Sequence, residues 1–200
     1  MENKAFSGRG GRAALLLPLL LLSFLLAAFL SACAKGPAAE EIAPRVRELC
    51  ERSFVLNEIY YGKGLPAVAS ATGSDYFYID IDQTDFYTAD LIREETEAVY
   101  TADYAARIEE AAFTGVTSEV GALLARFTED GDGNLMQHRD AESILPGKRA
   151  FLYDTITVES SSPSEVKVRL AATLDGEKDD DALLTLKKEN GVWLLDTPTY

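Results

Sequence analysis

Asp130, Asp132 and Asn134 stand at alternate positions in EDGDGNLMQ (129–137), the spacing at which side-chain oxygens begin an EF-hand calcium loop. That loop needs oxygen ligands at its positions 1, 3 and 5, a glycine at 6 for the sharp turn and a bidentate acid at 12. Counted from Asp130, position 6 is Leu135 and position 12 is Ala141, while Glu142 comes one residue late. An irregular hairpin turn accounts for the same residues, because glycine and aspartate both tolerate left-handed dihedrals. A metal role for Asp130, Asp132 and Asn134 is therefore disfavoured. His138 is the only histidine, and Asp140 follows two residues on. A histidine base with an acid partner makes a candidate dyad, whereas alternate polar positions on a strand also describe a solvated face. The chain carries no glycine-rich phosphate loop, no G-x-S-x-G elbow and no clustered metal ligands, so it reads as a non-enzyme with no cofactor.

The elements that would position these residues follow from periodicity. Ile42, Val46, Leu49, Cys50 and Ser53 recur at three- and four-residue steps and predict a helix over 40–61, with Pro44 placed in its first turn and Gly62, Gly64 and Pro66 ending it. Residues 67–74 read as a loop. In DYFYIDID, Tyr76, Tyr78 and Asp80 alternate with Phe77, Ile79 and Ile81, the pattern of a strand. Asp82, Thr84 and Asp85 supply start signals for a second helix reaching Tyr100. Thr101 as N-cap and Asp103 in the first turn then begin a third, through Ile108 to Phe113 and closed by Gly115. A short helical piece is expected over 118–126.

Strands follow near 127–128, 135–138, 150–158, 165–174, 181–188 and 192–196. Asn190-Gly191 makes a two-residue hairpin turn between the last two, and the acidic run 175–181 reads as a hairpin tip. Helices first and an antiparallel meander second predict an α+β fold, with the helices packed on one face of a curved sheet. Seven tyrosines fall in the helical half, and Tyr76, Tyr78, Tyr100 and Tyr104 are candidates to line a wet concavity for a ligand or partner. The same rings also suit an ordinary core edge.

The N-terminus bears on location. Lys4, Arg9 and Arg12 against Glu2 precede an apolar run, AALLLPLLLLSFLLAAF (13–29), with the form of a secretory signal. Leu30-Ser31-Ala32-Cys33 then resembles the lipobox of bacterial lipoproteins. The resemblance implies that 1–32 is a signal peptide and that Cys33 is acylated, making the membrane a partner through its lipid. AKGPAA (34–39) suits a flexible tether that, with Cys33, leads to a single domain at 40–200. Without Lys4, Arg9, Arg12 and Glu2, the remaining 16 basic and 32 acidic residues leave a net charge of −16. Such acidity argues against nucleic acid as a partner and favours a basic one, while solubility alone also accounts for it. Cys50, the only other cysteine, reads as a buried helix residue, so no disulfide framework is expected.

Several stretches together resemble a known group. They are Asp80-Ile81-Asp82, Tyr100-Thr101-Ala102-Asp103-Tyr104-Ala105, Asp132-Gly133-Asn134-Leu135, Lys188-Glu189-Asn190-Gly191-Val192-Trp193 and Asp196-Thr197-Pro198-Thr199-Tyr200. The chain from 40 to 200 is similar to small secreted Gram-positive proteins of the DL-endopeptidase inhibitor (IseA-type) family. The resemblance implies a cystatin-like or nuclear transport factor 2-like cone and a cell-wall hydrolase as partner. The lipobox is a departure from those soluble inhibitors.

Overall fold

The computed structural model describes residues 35–68, 74–115, 117–118, 121–122, 124–140 and 143–200. The leader (1–32) and Cys33 lie outside the described residues. The first helix, α1 (Ala39–Tyr60), buries Ile42, Val46, Leu49, Cys50, Ser53, Leu56 and Asn57 along one stripe. Pro44 is the sixth residue of α1, not part of its first turn. Its missing N–H leaves the Glu40 carbonyl without a helical donor, which is tolerated because both residues are exposed to solvent. The helix ends where Gly64, at φ 81°, donates its N–H to the Glu58 carbonyl at 2.9 Å. Just before α1, the Ser161 hydroxyl donates to the Pro37 carbonyl at 2.9 Å, so the end of the expected tether is docked on the domain.

The second helix, α2 (Ala89–Val99), starts at Thr88, whose Oγ1 accepts the Leu91 N–H at 3.3 Å. The expected start signals at Asp82, Thr84 and Asp85 do not cap it. Asp80 Oδ1 accepts the Asp82 N–H, and Thr84 Oγ1 accepts the Phe86 N–H. These short polar side chains bend the chain into turns before the helix begins. The strand ahead of them ends at Ile79, and Ile81 is exposed rather than inward-facing. The third helix, α3 (Ala102–Glu109), runs into a π turn, Glu110–Thr114, and Gly115 follows at φ 78°. Thr101 does not cap it with its side chain. Its hydroxyl donates to Asp196 Oδ1 at 2.7 Å, and Glu189 Oε2 accepts the Ala102 N–H at 3.1 Å.

The strands in chain order are β1 (Ala67–Val68), β2 (Tyr76–Ile79), β3 (Thr117–Ser118), β4 (Gly121–Ala122), β5 (Phe127–Glu129) and β6 (Leu135–His138). They continue as β7 (Arg149–Ser161), β8 (Glu165–Leu174), β9 (Glu177–Lys178), β10 (Ala182–Glu189) and β11 (Val192–Leu195). The helical piece expected over 118–126 is replaced by the β3–β4 pair, Thr117 opposite Ala122. Val116, Thr117 and Val120 are β-branched, which disfavours a helix there. The single meander is also corrected, because two larger sheets form. The order of the first is β1-β2-β6-β5, so β6 pairs with β2, Tyr76 opposite His138. In the second, β11-β10-β8-β7, every pairing is antiparallel.

Both sheets and the helices share one buried cluster, from Ile42 to Leu195. Within β8 the burial alternates, with Val166, Val168, Leu170 and Ala172 inward. Leu184 and Leu186 do the same in β10, within the shared core. Register shifts in β7, between Leu152 and Thr157 and between Val158 and Ser160, bend that strand. Thr155 fills the first gap by accepting the Ala171 N–H on its hydroxyl at 2.8 Å. Asn190-Gly191 forms the expected turn, with φ 50° and 87°. Asp175-Gly176 repeats it at 52° and 86°, so the tip of the acidic run is only two residues long and Glu177–Lys178 already pair with β8. The architecture is α+β with antiparallel sheets, as the order of elements predicted. Among the described residues no helix is long and apolar enough to cross a membrane.

Candidate functional site

The β5–β6 loop decides the first candidate. Asp130 Oδ1 accepts the backbone N–H groups of Asp132 and Asn134, each at 2.9 Å. Its Oδ2 accepts the Asn134 amide at 3.0 Å and the Tyr78 hydroxyl at 3.2 Å. Gly133, at φ 82°, donates its N–H to the Asp130 carbonyl at 3.1 Å. The carboxylate is thus the hub of a hairpin turn, ringed by donors that a cation would have to displace. Among the described residues no group of three or more His, Cys, Asp or Glu is arranged to hold a metal.

The donors from Asn134, then Asp132 and Tyr78, depress the Asp130 carboxyl to about 2. A carboxyl whose folded value is depressed contributes stability at pH above its unfolded value of about 3.9 and loses it as pH falls toward 2. An Asp130→Ala chain should therefore be less stable than the native chain at pH 6, with the difference shrinking by pH 2. Parallel urea titrations check this, and a difference that grows on acidification would contradict it.

His138 and Asp140 do not form a dyad. His138 Nδ1 accepts the Asp140 backbone N–H at 3.3 Å, while the Asp140 carboxylate lies 3.4 Å from Arg139 Nε. The ring of His138 stands edge-on to Tyr76, with centroids 5.1 Å apart. Tyr76 in turn donates its hydroxyl to the Ala125 carbonyl at 2.9 Å.

The four candidate tyrosines separate into two pairs on different elements. Tyr76 and Tyr78 belong to β2 of the first sheet, Tyr76 half-buried and Tyr78 exposed. Tyr100, at the end of α2, is 2% exposed and stacks on the half-buried Tyr104 at 5.0 Å. Tyr76 and Tyr78 sit on a strand paired with β6, whereas Tyr100 bridges to Leu195 of β11, and none of the four lines the cleft between the helices and the β10–β11 turn. Burial pushes the Tyr100 phenol up, and Tyr104 is pushed up to about 12 by burial and the nearby Tyr200.

Beneath Tyr100 lies a polar network that periodicity does not reveal. Thr199, 1% exposed, shares a hydrogen bond of 2.8 Å with the Ser53 hydroxyl, and its Oγ1 accepts the Asn57 amide at 2.8 Å. Ser53 and Asn57 occupy the buried stripe of α1, where an apolar pair would be usual. Their polarity on that stripe is the one sequence signal that a partner strand or tail must arrive there. Tyr200 follows, its ring 4.5 Å from that of Tyr61.

A cleft of about 660 Å³ lies where the three helices meet the β10–β11 turn. Arg45 and Arg52 of α1 form one rim. Glu97 and Ala98 of α2 lie beside Ala102, Ala105, Ala106 and Glu109 of α3. Val192 and Leu194, with Glu189 and Asn190, complete the wall. The walls hold their shape through specific contacts. Arg45 Nε donates to the Trp193 carbonyl at 2.9 Å, and Arg52 clasps Glu95 of α2 through bonds of 2.7 and 2.8 Å. The Thr101 N–H donates to the Leu195 carbonyl at 2.9 Å, covering the edge of β11. Burial works against the charge of Asp196, yet Lys187 at 2.6 Å and the Thr101 hydroxyl hold its carboxyl low.

Within this cleft Glu109 stands out. Its Oε1 is shut off from solvent and has no hydrogen-bond partner. Burial, and then the neighbouring charge of Glu97, push its carboxyl up, with Arg93 opposing. The alanines account for the space: four small side chains at the α2–α3 junction leave a hollow that larger residues would fill. No protein-family model matches this chain, and no curated protein matches it in sequence.

Proposed function

We propose that this chain is a lipid-anchored domain of the cell envelope that binds a peptidoglycan hydrolase, a DL-endopeptidase, and restrains it without chemistry of its own. The observation that carries the binding role is the cleft, whose aliphatic wall and charged rims are the materials of a recognition site. The tether side of the reading rests on Leu30-Ser31-Ala32-Cys33 behind an apolar leader, with Cys33 as the lipidated residue. The inhibitory role rests on the resemblance carried by the Tyr100–Ala105 and Lys188–Trp193 stretches, which meet at this cleft through Ala102 and Glu189. The excess of acid over base suits a basic face on the enzyme.

In a turbidity assay, the full chain in mild detergent should slow peptidoglycan digestion by such a hydrolase. An unchanged rate at about 10 μM, where ordinary protein interfaces are occupied, overturns the inhibitory role.

A second reading, a small-ligand carrier, is favoured by the volume of the cleft, which falls within the range of about 300–1,000 Å³ typical of small-molecule sites. It places the ligand beside α3 rather than among Tyr76, Tyr78, Tyr100 and Tyr104. A ligand at a hundred times its dissociation constant would add about 2.7 kcal/mol of stability in a thermal-shift screen.

A further inference from the structure

The chain just before α1 is fixed to one corner of the second sheet. The Ser161 hydroxyl donates to the Pro37 carbonyl at 2.9 Å, and Gly36 packs on the same corner. A Cβ on Gly36 would stand 2.5 Å from the Ser162 nitrogen and closer still to the Ser162 carbonyl oxygen, so only glycine fits this approach. The corner is itself braced. The Ser162 N–H donates to the Glu165 carbonyl at 2.8 Å, and the Ser162 hydroxyl accepts the Glu165 N–H at 2.9 Å, closing the turn between β7 and β8. The Lys188 N–H donates to the Ser164 carbonyl at 2.8 Å, which ties the turn to β10. Only Ala34 and Lys35 separate Gly36 from Cys33, a span of at most about 11 Å when fully extended.

From this docking we propose that the β7–β8 turn is the membrane-facing surface of the domain, held at the lipid headgroups by the seat of Gly36 and Pro37 on Ser161 and Ser162. The proposal rests on reading the chain as anchored at Cys33. With so short a span, an anchor there leaves the turn no room to move away from the bilayer. The distribution of charge favours the same orientation. Residues 160–164, SSSPS, carry no charge, and the acids on either side, Glu159 and Glu165, are paired with Arg169 and Lys167. Around the seat, Lys35 and Lys188 stand against Glu40 and Glu41. The opposite end of β8 lies about 30 Å away. It leads into DGEKDDD (175–181), five acids and one base, which anionic headgroups repel. Glu189 and Asn190 of the cleft follow directly on Lys188 at the membrane end, so a partner seated in the cleft is held close to the bilayer.

The full chain, reconstituted from mild detergent into vesicles of phosphatidylethanolamine and phosphatidylglycerol, tests this. A fluorescent amino acid replaces either the exposed Pro163, in the turn, or Asp180, at the far end, and nitroxides on the lipid headgroups act as short-range quenchers. The fluorophore at 163 should be quenched several-fold more than the one at 180. Equal quenching, or stronger quenching at 180, overturns the proposal. Gly36→Val, whose side chain collides with the Ser162 backbone, should unseat the chain and bring the two values together. An insertion of about twelve Gly-Ser residues between Ala34 and Lys35 should do the same with the seat intact, because it adds about 20 Å of flexible reach. An unchanged contrast in either folded variant overturns the proposal, and should Gly36→Val not fold, the insertion decides alone. The mass of the N-terminal peptide is read on the same preparation. Acylated Cys33 with equal quenching sinks the orientation alone. Unmodified Cys33 with the contrast intact sinks the lipid alone, since the apolar run ending at Phe29 would then be the anchor. A chain that does not stay with the vesicles sinks both.

Discussion

Tyr100→Ala should cost about 3–5 kcal/mol of unfolding free energy, the range for removing a large buried ring. The ring is 2% exposed, stacks on Tyr104 and is attached to the residue that bridges to Leu195. Its hydroxyl lies near the Ser53–Thr199 pair, which opposes the effect of burial on the phenol. Tyr100→Phe keeps the ring and loses only that hydroxyl, so about 1 kcal/mol is expected. Urea denaturation of both variants separates the packing contribution from the polar one. A Tyr100→Ala loss below about 1 kcal/mol would show that Tyr100 is surface rather than core, as a ligand-lining tyrosine would be. Tyr78→Ala provides the contrast, because that ring lies at the surface of β2 and should change stability little.

Mutating Cys33 to Ala should abolish the acyl mass on the mature N-terminal peptide. Under the proposed anchoring, the native chain begins at a lipid-modified Cys33. Each buried methylene contributes about 0.8 kcal/mol, so two chains amount to a stable anchor. Mass spectrometry of that peptide is the deciding measurement, because an unprocessed leader would hold the Cys33→Ala chain at the membrane by its own apolar run. Unmodified Cys33 in the native chain would remove the tether from the proposed function and leave the cleft untouched.

Local chemistry was the legible part of the fold. The stripe from Ile42 to Ser53 predicted α1 nearly to its ends, and Asn190-Gly191 predicted its hairpin, since a turn with two positive φ angles is set by the residues within it. The start of α2 was misplaced because Asp82, Thr84 and Asp85 have the same capping chemistry as Thr88. Only the path of the chain decides which of them finds a helical N–H. Pro44 misled for a related reason, since exposure rather than position made it acceptable in the second turn.

Residue type alone allowed two readings of every tyrosine. Tertiary pairing sent Tyr76 and Tyr78 to the first sheet and Tyr100 to a bridge with β11 of the second, while Tyr104 stacks on Tyr100 from α3. The aspartates of the β5–β6 loop were correctly read as a turn from the failed ligand count, because a calcium loop is itself a local pattern.

The amino-acid order by itself determined α1, the Asn190-Gly191 hairpin turn and the α+β class. All of these depend on interactions spanning a few residues. Tertiary structure alone decided the division into two sheets, the Ser53–Asn57–Thr199 network and the cleft around Glu109. Those features join residues as far apart as Arg45 and Trp193. Their partners are the groups left facing one another once the apolar surfaces have been buried, and no local pattern encodes that remainder.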